Sequence, residues 1–310
     1  MRGYFFKEYL KFFWLRPENA LLLALRADAL QKAFKYFDQN KKSVDISCGD
    51  GVFSFIAMGG VLSESVDMFR SVNLSRTFRQ GNYDAFDFFN EDYFIKVNKT
   101  PSKNYYYGTD WKENLLKKAE KLGFYNELIQ HDNNYKLPFN EQEMQFVYSN
   151  SAYWVDKFEA HLKDMVRITE PNGLIVLEMK HKEIINYTSS NYIPFMGNKF
   201  HKIINAGRLD TWKGLRTKEE ILNILKSVDG VEIELVEPIY GDILARIWDI
   251  GLRPLFNPLV KMANNLTEEQ RIDIKLEWCN IIYELFIEFL EDYTPEEHSA
   301  IEHLIVLRKK

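Results

Sequence analysis

The chain has 310 residues, with 40 Lys and Arg against 45 Asp and Glu, a net charge of −5 and no long basic run, so the electrostatic footprint of a general nucleic-acid binder is absent. Its only cysteines, Cys48 and Cys279, exclude a disulfide framework and point to a reducing, cytoplasmic compartment. No stretch reaches the roughly 18 consecutive apolar residues of a membrane span, while 46% hydrophobic and 15% aromatic content suffice for one sizeable core over 1–310.

Residues 1–38 read as an N-terminal helical arm. Phe12-Phe13-Trp14-Leu15 suits packing, with contact to a membrane surface as the alternative, and no small-residue cleavage site marks a signal peptide. From Pro17, a good first-turn residue, Leu23, Ala27, Leu30, Phe34 and Phe37 form one apolar stripe to about Asp38.

Val44-Asp45-Ile46-Ser47-Cys48-Gly49-Asp50-Gly51-Val52-Phe53 is an apolar strand that ends in an acid, a glycine-rich turn and an apolar helix start. A dinucleotide fold would need a third glycine where Ser54 stands, and Asp50 would repel a pyrophosphate. Residues 59–104 exceed the helix and short loop that normally join two such strands, and their mixture of charges and aromatics predicts a folded insertion or lid.

Tyr105–Asp110 reads as a second strand ending in an acid. The helix after Trp111 carries Leu115, Ala119 and Leu122 on one face and stops at Gly123. A carboxylate at such a strand tip accepts the two hydroxyls of a ribose. Leu128–Asp132 is a third strand with an acidic end, followed by Leu137-Pro138-Phe139. Gln145–Asn150 is a fourth, then comes a helical pattern at Phe158, Leu162, Met165 and Val166, a turn at Glu170–Gly173, and a fully buried fifth strand, Leu174–Met179.

Residues 181–216 fall beyond a strand C-terminus, where open α/β sheets bind ligands. Thr217–Glu220 is a capping box, Gly230 stops its helix, and Val231–Val236 alternates as a sixth strand. Residues 242–298 hold helical patterns at Ile243–Leu252 and Leu259–Asn265, then a capping box at Thr267–Gln270 opening a long helix to about Leu290. They predict a cap or an oligomer surface before a closing strand, Ile301–Leu307.

These motifs, in this order, resemble the class I S-adenosylmethionine-dependent methyltransferases. Asp45, Gly49 and Gly51 fit their first motif, with Ser47 in place of a glycine, and Leu137-Pro138-Phe139 is similar to the small-molecule branch with one extra residue of spacing. Gln145 stands where the family often has an acid. The resemblance spans about 40–180, with a weaker tail from 217. It implies an α/β, Rossmann-like sheet of seven strands, the last antiparallel, with helices on both faces and S-adenosylmethionine as cofactor. It further implies a cofactor site of Asp45, Ser47, Cys48, Gly49, Gly51, Asp110, Trp111, Asp132, Asn133 and Asn150, with Trp111 on the adenine and Asp132 meeting its amino group.

Methyl transfer needs proximity and orientation above all, and a base only where the acceptor must lose a proton. Candidates for that role are His181, His201, Tyr153 and Asp156. Trp154 and Trp212 are candidates to shape the substrate. The expected activity is methylation of a small molecule, a sugar or secondary metabolite. A nucleic-acid or protein acceptor, or a non-catalytic module retaining the fold, are the alternatives. The six histidines lack zinc-site spacing and no C-x-x-C occurs, so no metal is expected.

Overall fold

The computed structural model describes residues 1–70, 72, 87–91, 93–205 and 214–310, and only the backbone of 202–205. Helices α1 (Arg2–Phe13) and α2 (Pro17–Phe34) precede β1 (Ser43–Ile46) and α3 (Val52–Ala57). A small antiparallel ribbon pairs β2 (Val61–Leu62) with β3 (Val97–Lys99). Then follow β4 (Tyr107–Asp110), α4 (Glu113–Leu122), β5 (Glu127–Gln130), β6 (Met144–Ser149), α5 (Phe158–Ile168) and β7 (Thr169–Lys180). Short helices α6 (Ile193–Met196) and α7 (Asn198–Asn205) lead to α8 (Lys218–Ser227) and β8 (Val231–Gly241). Last are α9 (Asp242–Arg246), α10 (Phe256–Ala263), the long α11 (Glu268–Asp292) and β9 (Ala300–Lys309).

The main sheet has seven strands in the order β5-β4-β1-β6-β7-β9-β8. β1, β4, β5, β6 and β7 run parallel, while β9 is antiparallel to both its neighbours. This is the mixed, Rossmann-like sheet that the motifs imply. Order reverses at β1, between β4 and β6, and open α/β sheets bind ligands beyond the strand C-termini at such a point.

The elements follow from their residues. Both capping boxes are formed, at Thr217 with Glu220 and at Thr267 with Gln270. Gly123 closes α4 in the left-handed region. The expected turn at Glu170–Gly173 is a bulge inside β7, which shifts register between Met144 and Phe146, and Asn172 there has φ 64°. β8 runs five residues past the predicted Val236, across Pro238, because it is an edge strand that can lose a donor. Phe12, Trp14 and Leu15 are buried, so the arm packs and does not offer these side chains to a membrane. Gln145 donates to the Tyr36 carbonyl at 3.0 Å and accepts from the Asp38 amide at 3.3 Å. A carboxylate there would lack the donor. Among the described residues no helix is long and apolar enough to cross a membrane.

Candidate functional site

The glycine loop leaves β1 through three left-handed residues, Ser47 (φ 62°), Gly49 (φ 60°) and Gly51 (φ 77°). Gly51 has no alternative, since a Cβ there would also meet the Tyr125 ring at 2.8 Å. A Cβ at Gly49 would meet nothing within 4 Å, which marks the open side of the loop. Ser47 holds a conformation that costs an L-residue roughly 1–2 kcal/mol, and its hydroxyl accepts from the Asn133 amide at 2.7 Å.

Asp110, at the tip of β4, accepts from the backbone N–H of Gly49 at 3.0 Å and of Lys112 at 2.9 Å. Burial raises its pKa, and those two donors oppose the rise. The loops after β1, β4 and β5 are thereby tied into one rim. Asp132 accepts from the backbone and side chain of Asn134, at 2.9 and 3.0 Å. The side-chain oxygen Oδ1 of Asn133 is buried without a partner. Trp111 is 62% exposed at the mouth. Asn150 follows β6 and is half-buried, and Cys48 is a half-buried free thiol raised well above its ordinary pKa by burial. Lone pairs on Asp110, an unpaired oxygen on Asn133, an exposed indole and the open face of Gly49 together fit a nucleoside with hydroxyl and amino donors.

Asp45 lies beneath this rim. It is buried and accepts from Ser54 and from the Tyr125 hydroxyl at 2.7 Å, and burial pushes its pKa up to about 6. Tyr125 thus fixes the acid of β1 and packs against Gly51 at once. Nothing in the sequence near Gly123 signalled it. The Leu137-Pro138-Phe139 turn is clamped from α5, where Arg167 donates to the carbonyls of Leu137 and Phe139, at 3.1 and 2.8 Å, and Asp164 accepts from the Leu137 N–H.

The four proton-transfer candidates sit in separate surroundings. His181 is buried, stacked on His303 with centroids 4.7 Å apart, and burial pushes its pKa down to about 3. His201 is buried on α7, with Nε2 3.5 Å from the Ser189 hydroxyl, which donates to Asp249 at 2.8 Å. Burial pushes the Tyr153 phenol up to about 12, so it keeps its proton at neutral pH. Trp154 is exposed beside Tyr153, and Asp156 is exposed too. Trp212 lies outside the described residues, as does much of the expected 59–104 insertion. Among the described residues no three His, Cys, Asp or Glu form a metal set.

A charge cluster that sequence reasoning missed occupies the same edge of the sheet, one strand further on. Arg26 on α2 makes a two-pronged bond to Glu302 of β9, 2.8 Å at Nη2, and lies 3.8 Å from Glu178 of β7. Lys180 lies 3.9 Å from Glu302 and 5.6 Å from the centre of the Tyr153 ring. Glu178 is fully buried, neither of its oxygens is well hydrogen-bonded, and burial pushes its pKa up to about 8.

Residues 93–177, which hold the second to fifth motifs, match the family model of the methyltransferase domain. No curated protein matches the sequence. Similar solved structures include a possible histamine N-methyltransferase from Thermotoga maritima (13% identity, 94% of this chain and 91% of that one, TM-score 0.44). Another is an S-adenosylmethionine-dependent methyltransferase from Mesorhizobium loti (16%, 92% and 100%, 0.44). A third is the geranyl diphosphate C-methyltransferase of Streptomyces coelicolor A3(2), in complex with S-adenosyl-L-homocysteine (11%, 95% and 84%, 0.43). At these identities and TM-scores no residue role or substrate carries across. Residues 93–177 thus carry a methyltransferase domain, on a mixed sheet whose order reverses at the glycine loop as the motifs imply.

Proposed function

We propose that the chain transfers the methyl group of S-adenosylmethionine to a small molecule, with a sugar or secondary metabolite as the acceptor class. The observation that carries this reading is the joining of three strand ends into one rim, Gly49 to Asp110 and Ser47 to Asn133. In it Asp110 takes the ribose hydroxyls, Trp111 covers the adenine, and Asp132 and Asn133 read its edge. Gly49, Gly51, Ser47 and Cys48 give the loop its close approach. Asp45 acts from beneath through Tyr125 and Ser54, and Asn150 borders the methyl group.

The sulfonium supplies an already activated methyl group, so the chain's own work is orientation. Tyr153, Trp154 and Trp212 belong to the acceptor side in this reading. Where the acceptor must lose a proton, His181 and His201 serve only after a movement that exposes them. The 59–104 and 242–298 segments are read as lid and cap. Exposed Ile274, Ile281 and Leu285, seven and four residues apart on α11, support an oligomer contact between copies, which light scattering of the L285E variant against wild type would check. A cytoplasmic location is supported by the two unpaired cysteines.

Calorimetry with S-adenosylhomocysteine, with NAD as control, tests the reading. Micromolar binding to the first alone supports it and opens acceptor screening. Binding to neither would turn the reading toward a non-catalytic module.

A further inference from the structure

No helix joins β5 to β6, and residues 131–143 cross between them as irregular chain. Between the 133–136 turn and one face of α5 this leaves a cleft of about 360 Å³. It shares Asn133 with the rim of the cofactor crevice, but no glycine-loop residue lines it, and neither Asp110 nor Trp111 does.

The lining is basic. Lys136, Lys157, Lys163 and Arg167 face the single carboxylate of Asp164. Arg167 and Asp164 already hold the Leu137–Phe139 turn, and Lys163 pairs with Glu159 at 2.7 Å. Among the described residues neither Lys136 nor Lys157 is paired with a carboxylate. His161 also lines the cleft. It is 4% exposed, yet neither ring nitrogen has a hydrogen-bond partner, an arrangement that buried polar groups rarely tolerate without a water or a ligand. Burial pushes its pKa down to about 4, with Asp164 and His131 as its charged and titratable neighbours. At neutral pH the ring therefore offers one N–H donor and one lone pair.

We propose that this cleft is a binding site for a compact organic anion, a phosphate ester or a carboxylate, held by Lys136 and Lys157 with His161 turning a nitrogen toward it. The shape of the site follows from its parts. Two unpaired ammonium groups supply attraction and on-rate at the mouth, and a buried imidazole supplies a directed donor at the wall. The site stands apart from methyl transfer, so a chain that bound no S-adenosylhomocysteine would leave it in place.

The test is a titration of the full chain with inorganic phosphate, and separately with citrate, at matched ionic strength. Binding is read from the side-chain NMR signals of His161. Saturable shifts and a rise in the His161 pKa are expected, with the stronger of the two anions telling ester from carboxylate. The double variant K136A/K157A should weaken binding at least tenfold and leave S-adenosylhomocysteine affinity within twofold. Because His161 is buried and its replacement is a risk to folding, the lysine pair carries the decisive variant, with H161N as a second. Non-saturable shifts, unchanged affinity in K136A/K157A, or loss of phosphate binding when S-adenosylhomocysteine saturates the chain would each overturn the proposal. The last would move the anion into the cofactor crevice.

Discussion

The rim at β1, β4 and β5 and the charge cluster at β7 and β9 share one edge of one sheet but are built on opposite plans. At the rim, hydrogen bonds tie the loops at neighbouring strand ends to one another. Gly49 reaches Asp110, Asp132 its own Asn134, and Ser47 the neighbouring loop. At the cluster, Arg26, Glu178, Lys180 and Glu302 come together from α2, β7 and β9, and one carboxyl is left over. In the proposed reading the rim is a preformed seat for the cofactor. The cluster is a store of buried charge beside Tyr153, and its balance depends on every member being present.

The comparison breaks most visibly at Arg26. Its removal leaves Glu302 buried, with Lys180 3.9 Å away as the remaining cation of the cluster. R26M should lose about 3–5 kcal/mol of stability, the usual penalty for half a buried ion pair, while S-adenosylhomocysteine affinity of the folded protein stays within threefold. Urea unfolding reads the first quantity, and a loss under about 1 kcal/mol would show the cluster to be inert.

At the rim the corresponding break is G51A. The left-handed φ and the contact with Tyr125 should together take about 1–3 kcal/mol, and here cofactor affinity should fall at least tenfold. Calorimetry that found wild-type affinity would remove the loop from the site.

The leftover carboxyl sharpens the contrast through pH. Glu178 titrates near its ordinary 4.5 when unfolded and at about 8 when folded. The folded state therefore holds this proton more tightly. The stability it supports is full below about 4.5 and is lost as pH rises toward 8 and beyond. The histidines act oppositely. His181 and His303, pushed down to about 3 and about 4, withdraw stability as pH falls below 6.5. Between pH 6.5 and 9 Glu178 is thus read alone among these three. The melting temperature of wild type should drop across that window and that of E178Q should stay nearly level. Parallel curves would contradict the raised pKa.

The smallest effect is expected at Ser47. S47G relieves a left-handed side chain and loses the Asn133 bond, two changes of about 1 kcal/mol each with opposite sign. Stability should move by less than about 1 kcal/mol and cofactor affinity by less than threefold. A larger loss of affinity would make the serine hydroxyl a ligand in its own right.

The sequence by itself determined the succession of strands along the chain, the glycine turn, both capping boxes and the acids at the strand tips. Each is a local event, set by a left-handed residue, a terminal hydroxyl or a hydrophobic period, and such events lie within ten or so adjacent positions. Tertiary structure alone decided that Asp45 lies beneath the loop under Tyr125, that His181 is sealed against His303, and that Arg26 joins Glu302 across 276 positions. Burial and partner, which set whether a carboxyl or an imidazole carries charge, depend on packing between distant segments, and no spacing along the chain records them.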